Sequence, residues 1–241
     1  GHHRDVVPRA VCETARKMAA TQFQLDDARD LLGPCVDRFG LYAQPKVGTV
    51  ARDLHKARRR DRIAHLRSLD HDAAYVGVAH SVLGRPPVLA NLRCGVWYVP
   101  PAIRHSACYF KSTDGHSGCW DFSITRLNLQ VALAAAEHGR AMVVDATRSG
   151  KRFPDALTKT VPIWCCVVNR ALAAERAERA AAADELSPAA WDARLHLPPW
   201  VPPSERSQIE ARLDGWVAAL RKPALAPVVS RLDAALDRPL V

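Results

Sequence analysis

No run in these 241 residues approaches the roughly 18 consecutive apolar side chains that a membrane-spanning helix requires, and the N-terminal stretch lacks the apolar core of a signal peptide. A soluble, cytoplasmic protein is expected. The cysteines are seven, an odd number, and none is spaced C-x-x-C, which argues against a disulfide framework or a zinc knuckle and fits a reducing compartment. There is no internal repeat. A Walker A loop needs Gly-x-x-x-x-Gly-Lys-[Ser/Thr], whereas Gly150-Lys151 lacks the first glycine and is followed by Arg152, so ATP hydrolysis is disfavoured. No Gly-x-Ser-x-Gly elbow occurs either, which counts against a serine hydrolase. Acidic residues are in deficit: 25 Asp and Glu face 34 Lys and Arg, a formal charge of +9, which suggests a polyanionic partner, nucleic acid or an acidic membrane surface. The plainer reading is an Arg- and Ala-rich composition inherited from a GC-rich genome.

What is present is the pattern of an ordinary globular chain, 48% hydrophobic and 24% charged. Helical spacing over 8–32 ends at Gly33-Pro34, and a second helix is expected over 50–82, with Leu54, Leu66, Leu69 and Val76 on its apolar side. Between Arg52 and Arg67 that second stretch carries seven basic residues against two acidic ones, with Arg58, Arg59, Arg60 and Arg62 clustered. Such a face either tracks a phosphate backbone or is simply solvated. Short strands are expected at 88–89, 95–99 and 141–145, and helices over 123–139, 162–183 and 204–220, the first ending at Gly139 and the last capped by Ser204. The fold class is therefore α/β or α+β, a small central mixed sheet flanked by several helices.

Two blocks crowd polar chemistry around short apolar runs. In the first, Lys111, Ser112 and Thr113 supply phosphate-type donors beside Asp114-Gly115-His116, whose acid and imidazole can serve one substrate oxygen as base and orienter. Trp120 and Phe122 follow, as stacking surface for a base or as core. In the second, the strand ending at Asp145 runs into Thr147, Arg148, Ser149, Gly150, Lys151 and Arg152, hydroxyls and cations of the kind that cradle a phosphorylated ligand at a strand's C-terminal edge. An acid followed by Thr-x-Ser-Gly resembles the phosphoribosyl-pyrophosphate loop of phosphoribosyltransferases, in which the acid binds ribose or magnesium. A strand-to-helix turn with a solvated basic loop has the same composition.

Longer strings are more specific. Arg93-Cys94-Gly95-Val96-Trp97-Tyr98, Tyr109-Phe110-Lys111-Ser112-Thr113-Asp114-Gly115-His116, Trp120-Asp121-Phe122-Ser123, Arg126-Leu127-Asn128, the run from Asp145 to Thr160, and Pro162-Ile163-Trp164-Cys165 together resemble the initiator tRNA phosphoribosyl transferase family. The likeness extends over 50–241, leaving 1–49 as a helical extension of unknown role. It implies transfer of 5-phosphoribosyl from phosphoribosyl pyrophosphate to a ribose 2'-OH in the T-stem of initiator tRNA, marking that tRNA against use in elongation. The alternatives are a non-catalytic RNA-binding module, or a phosphatase or nuclease acting on a phosphorylated ligand. Family members usually continue into a phosphatase-like domain with a Cys-x-x-Gly-type loop, a motif not found in these residues, so the expectation is of the N-terminal, catalytic-type domain alone. The family's Ser-Thr-Arg-Arg-Gly-Lys pattern here reads Ala146-Thr147-Arg148-Ser149-Gly150-Lys151.

On this resemblance the expected partners are initiator tRNA and phosphoribosyl pyrophosphate, with Mg2+ as cofactor and no membrane. Asp114, His116 and Asp145 are the expected catalytic residues, Asp145 also as a magnesium ligand. Lys111, Ser112, Thr113, Thr147, Arg148, Ser149, Gly150, Lys151, Arg152 and Lys159 are expected on phosphates. Arg58, Arg59, Arg60, Arg62, Trp120 and Arg126 are expected on the tRNA.

Overall fold

A computed structural model describes residues 47–92, 94–147, 151–183 and 191–241, the side chains of 47, 49 and 58–60 excepted. The helix expected over 8–32 lies outside these. The stretch expected as one helix over 50–82 is two, α1 (Val47–Arg60) and α2 (Arg62–Val82). They part at Asp61, whose extended backbone and carboxylate cap α2 by accepting from the amides of Ile63 (2.9 Å) and Ala64 (3.2 Å). α1 falls in a unit ending at Arg60, and the body of the chain is the second unit, Asp61–Val241.

In that body three strands form a parallel sheet in the order β2-β1-β3: β1 (Val88–Asn91), β2 (Arg104–Cys108) and β3 (Met142–Val144). The α/β class expected from the sequence holds. β1 is central and buried at every position, as a parallel strand covered on both faces must be. Its residues alternate between two cores: Leu89 joins Phe110, Trp164 and Ile163 on one face, while Val88 and Ala90 join Val76 of α2, Val99 and Val144 on the other.

The segment expected as a strand at 95–99 is instead a 3-10 turn, Gly95–Tyr98. The reason is steric. Gly95 presses its backbone onto the end of β3, so closely that a Cβ would overlap the Val144 carbonyl. The helix expected to open at Ser123 begins later, as α3 (Leu129–His138), because Asn128 takes a left-handed conformation (φ 49°) just before it. Gly139 closes it at φ 74°, as expected. After β3, a π turn (Ala156–Thr160) leads directly into α4 (Val161–Ala182), against which α5 (Pro203–Leu220) packs Ile209, Leu213 and Leu220. Each fully buried aliphatic side chain of this kind contributes about 1.5–3 kcal/mol. Ser204, expected as the cap, sits inside α5, which starts at Pro203. A last helix, α6 (Ala226–Ala235), was not expected. Arg176 and Arg179 of α4 both hold its Asp233, and Asn169 of α4 pairs through its amide with both backbone groups of Leu240.

Candidate functional site

Because all three strands run the same way, the chain leaves β1, β2 and β3 at one edge of the sheet. Open parallel sheets bind ligands outside that carboxyl edge, where neighbouring connections diverge. The two polar blocks, one leaving β2 and the other leaving β3, therefore start on the same side of the molecule, two strand spacings or roughly 10 Å apart. Their electrostatics agree. Burial, and after it the Asp145 carboxylate, push the Cys108 thiol at the end of β2 up to about 12.

Two asparagines fix the path out of β2. Asn91, wholly buried at the end of β1, accepts from the Phe110 amide and donates to the Phe110 carbonyl, both at 2.9 Å, replacing a rung of the ladder with its side chain. Asn128 does the same for Tyr109, accepting from its amide at 2.8 Å and donating to its carbonyl at 3.1 Å. With both neighbours clamped, residues 111–116 are delivered as a tight turn whose 3-10 portion is Ser112–Gly115. That turn lies flush against the π turn: a Cβ on Gly115 would meet the Asp155 carbonyl oxygen at 2.6 Å and the Thr160 hydroxyl at 2.8 Å. Thr160 in turn donates to the Lys111 carbonyl at 3.2 Å. The glycine between the acid and the imidazole is thus required by close approach, and π turns recur at functional sites.

The ionic pairing differs from the expected one. Asp114 is buried and bound to Arg126 at 3.0 Å, with Thr113 donating to it at 3.3 Å, so it is not the partner of His116. His116 instead meets Asp155, its Nε2 3.1 Å from Oδ2, and the Lys151 ammonium reaches the same oxygen. Asp155 stands beside Nε2, so Nδ1 is the ring nitrogen away from the carboxylate. The cleft among Lys111, Asp114, Ser123, Arg126 and Thr160 has a volume of about 20 Å³, room for one water.

A family model described as the Rit1 N-terminal domain matches residues 55–241. The chain belongs to this family. Two curated relatives align with it: an uncharacterized protein of Schizosaccharomyces pombe, 39% identical over 73% of this chain and 36% of its own length, and the tRNA A64-2'-O-ribosylphosphate transferase of Saccharomyces cerevisiae, 43% identical over 56% of this chain and 25% of its own. The chain thus spans about a third or less of the length of these relatives. No solved structure matches it.

Within this Rit1-family domain the expected site residues divide. Lys111, Ser112, Thr113, Asp114, His116, Arg126 and Lys151 come together around the paired turns, and Asp145 and Thr147 follow β3 at the same edge. Lys159, expected on a phosphate, is buried in an ion pair with Glu205 at 2.7 Å. Trp120, expected to stack on RNA, is 3% exposed, its indole N–H donating to the same Glu205 oxygen at 3.0 Å and Arg212 over its ring. Its stacking face is inside the protein. Arg126, expected on tRNA, is engaged by Asp114 and lies over the Tyr109 ring. Arg62 is exposed on α2. Arg148, Ser149 and Gly150 lie outside the described residues, as do the side chains of Arg58, Arg59 and Arg60.

Asp155, Asn91 and Glu205 were not singled out. Asp155 carried a signal, since it stands four residues after Lys151, the spacing of a helical ion pair. Glu205 and Asn91 carried none, because their partners lie far away in sequence. Among the described residues no group of three or more His, Cys, Asp or Glu could hold a metal ion, and no helix is long and apolar enough to cross a membrane.

Proposed function

We propose that this chain transfers a 5-phosphoribosyl group from phosphoribosyl pyrophosphate to a ribose 2'-OH of tRNA, with the T-stem of initiator tRNA as acceptor. The observation that carries the reading is the cluster His116, Asp155 and Lys151 at the carboxyl edge of the sheet, its lysine supplied by the cationic run that follows β3 in the sequence. Membership of the Rit1 family and the name of the yeast relative support it.

In this reaction the acceptor's 2'-oxygen forms a bond to the anomeric carbon, the bond from that carbon to pyrophosphate breaks, and pyrophosphate leaves with the electron pair. The hydroxyl proton goes to Nδ1 of His116, oriented and stabilised as imidazolium by Asp155, an effect of about 100-fold or more. Asp114 is less suited to this because Arg126 already occupies its carboxylate. Lys151, Arg152 and the hydroxyl of Thr147, with Arg148, Ser149 and Gly150, are assigned to the charge that develops on the leaving oxygens, where fixed donors act most strongly. Magnesium fits this edge. A single carboxylate, Asp145, together with the donor's own phosphates is the ligand set the ion commonly takes, and bound there it would neutralise leaving-group charge.

The test is to incubate the protein with initiator tRNA, magnesium and phosphoribosyl pyrophosphate labelled in the ribose. Label entering tRNA with stoichiometric release of pyrophosphate is the expected result. Binding of tRNA without incorporation would favour an RNA-binding module and overturn transfer.

A further inference from the structure

Two exposed aromatic residues, one of them two positions from both Lys151 and Asp155, have no role in the mechanism above. Phe153 and Trp200 stack face to face, ring centres 4.4 Å apart and planes 13° from parallel, and the guanidinium of Arg152 lies over the Phe153 ring, 5.2 Å from its centre. Trp200 nevertheless remains 55% exposed and Phe153 37%, which is costly for apolar rings unless something covers them.

Both rings stand next to residues with fixed partners. Phe153 lies between Lys151 and Asp155, the two residues that meet at the His116 cluster. Trp200 stands in Pro198-Pro199-Trp200-Val201-Pro202-Pro203, where the Val201 amide closes a turn onto the Pro198 carbonyl at 3.0 Å and Val201 itself is buried. Glu205, in the first turn of α5 just beyond, is tied down by Lys159 and Trp120. A flat aromatic face with an exposed guanidinium over one of its rings is a composition that can receive a base by stacking.

We infer that Phe153 and Trp200 form a stacking platform for one nucleobase of the RNA acceptor, placed so that a base stacked on Trp200 holds the neighbouring ribose toward His116. The inference rests on the proposed function for the identity of the acceptor. It differs from the sequence expectation in moving the stacking role from the buried Trp120 to the exposed Trp200.

The experiment measures affinity for an unmodified initiator tRNA transcript by fluorescence anisotropy at fixed salt, without donor, for the full chain and for Trp200→Leu, Trp200→Phe and Phe153→Leu. Trp200→Leu should weaken tRNA binding by roughly 5- to 100-fold, and Trp200→Phe should restore most of the loss, because any aromatic face stacks. The thermal midpoint should be unchanged, and the KM for phosphoribosyl pyrophosphate should stay where it is. A scan of single abasic nucleotides through the T-arm, using the unaltered protein, should find one position that weakens binding as much as Trp200→Leu does and adds nothing to it. Unchanged tRNA affinity of Trp200→Leu, or full additivity with every abasic position, overturns the platform. If that happens while label still enters tRNA, the platform falls and transfer stands. If Trp200→Leu loses affinity while no label is ever incorporated, the platform stands and transfer falls.

Discussion

Asp155 and Glu205 each gather a lysine from the segment leading into α4 and each takes a second partner, His116 in one case and the indole of Trp120 in the other. The ingredients are nearly the same, but the surroundings are not. Around Glu205 everything is enclosed, the Lys159 side chain being 9% exposed and that of Glu205 14%. Around Asp155 the carboxylate is covered, while the Lys151 side chain is 38% exposed and His116 49%. A charge pair removed from water and fully bonded acts as a brace, and stranding either member leaves a buried charge without compensation. A pair whose cationic members reach solvent can exchange its protein partner for a substrate oxygen at little cost. Burial, more than residue type, separates the scaffold from the chemistry here.

Glu205→Gln tests the braced side and should have the largest effect, a loss of about 3–5 kcal/mol of unfolding free energy, because Lys159 is left buried and unpaired. Denaturant titration reads it, and a loss below 1 kcal/mol would mean that Lys159 finds water. His116→Ala tests the open side. The transfer rate should fall about 100-fold or more, with the denaturation midpoint close to wild type. Gly115→Ala attacks the seam between the two turns and should destabilise by about 1–3 kcal/mol, since the new methyl meets the backbone of Asp155 rather than a movable side chain. It should also lower transfer, by shifting His116 from Asp155.

The smallest effect lies far from both clusters. Burial alone would raise the Asp233 carboxyl, but hydrogen bonds from Arg176 and Arg179 outweigh it and hold it below the usual carboxylate range. Its folded pKa being depressed, the stability it contributes is present in full above about pH 4 and is lost as the pH falls through the folded value. Asp233→Asn should therefore flatten the acid limb of unfolding free energy between roughly pH 5 and 2, measured by urea titration at each pH.

Much of this arrangement was legible before any coordinates. β1 and β3 are apolar runs with proline, glycine or acid punctuation, and Gly139 marks the end of α3 as its left-handed backbone demands. β2 was missed because Arg104-His105-Ser106-Ala107-Cys108 is an edge strand with two of its five residues exposed and little apolar pattern to read. Val96, Trp97 and Tyr98 have strand propensity, but the flush packing of Gly95 on β3 overrides it. In the site, the residues gathered around Asp114 and His116 were visible as motifs, whereas their pairing was not. Arg126 is 12 positions from Asp114, and His116 finds its acid in another block altogether. Trp120 looked like a stacking residue because nothing near it in sequence announces Glu205, which turns the ring into the core.

The contrast between the two clusters comes down to Asp155, which faces inward like Glu205 but serves partners that face out. The most direct measurement is the single-turnover rate of labelled phosphoribosyl transfer to initiator tRNA by Asp155→Asn, with the unfolding midpoint taken on the same sample. A rate lowered at least about 10-fold, with stability within about 1 kcal/mol of wild type, is expected for a residue that orients His116 and holds only solvent-reachable cations. Wild-type transfer by a folded Asp155→Asn protein, or a loss of folding as deep as that of Glu205→Gln, would contradict it.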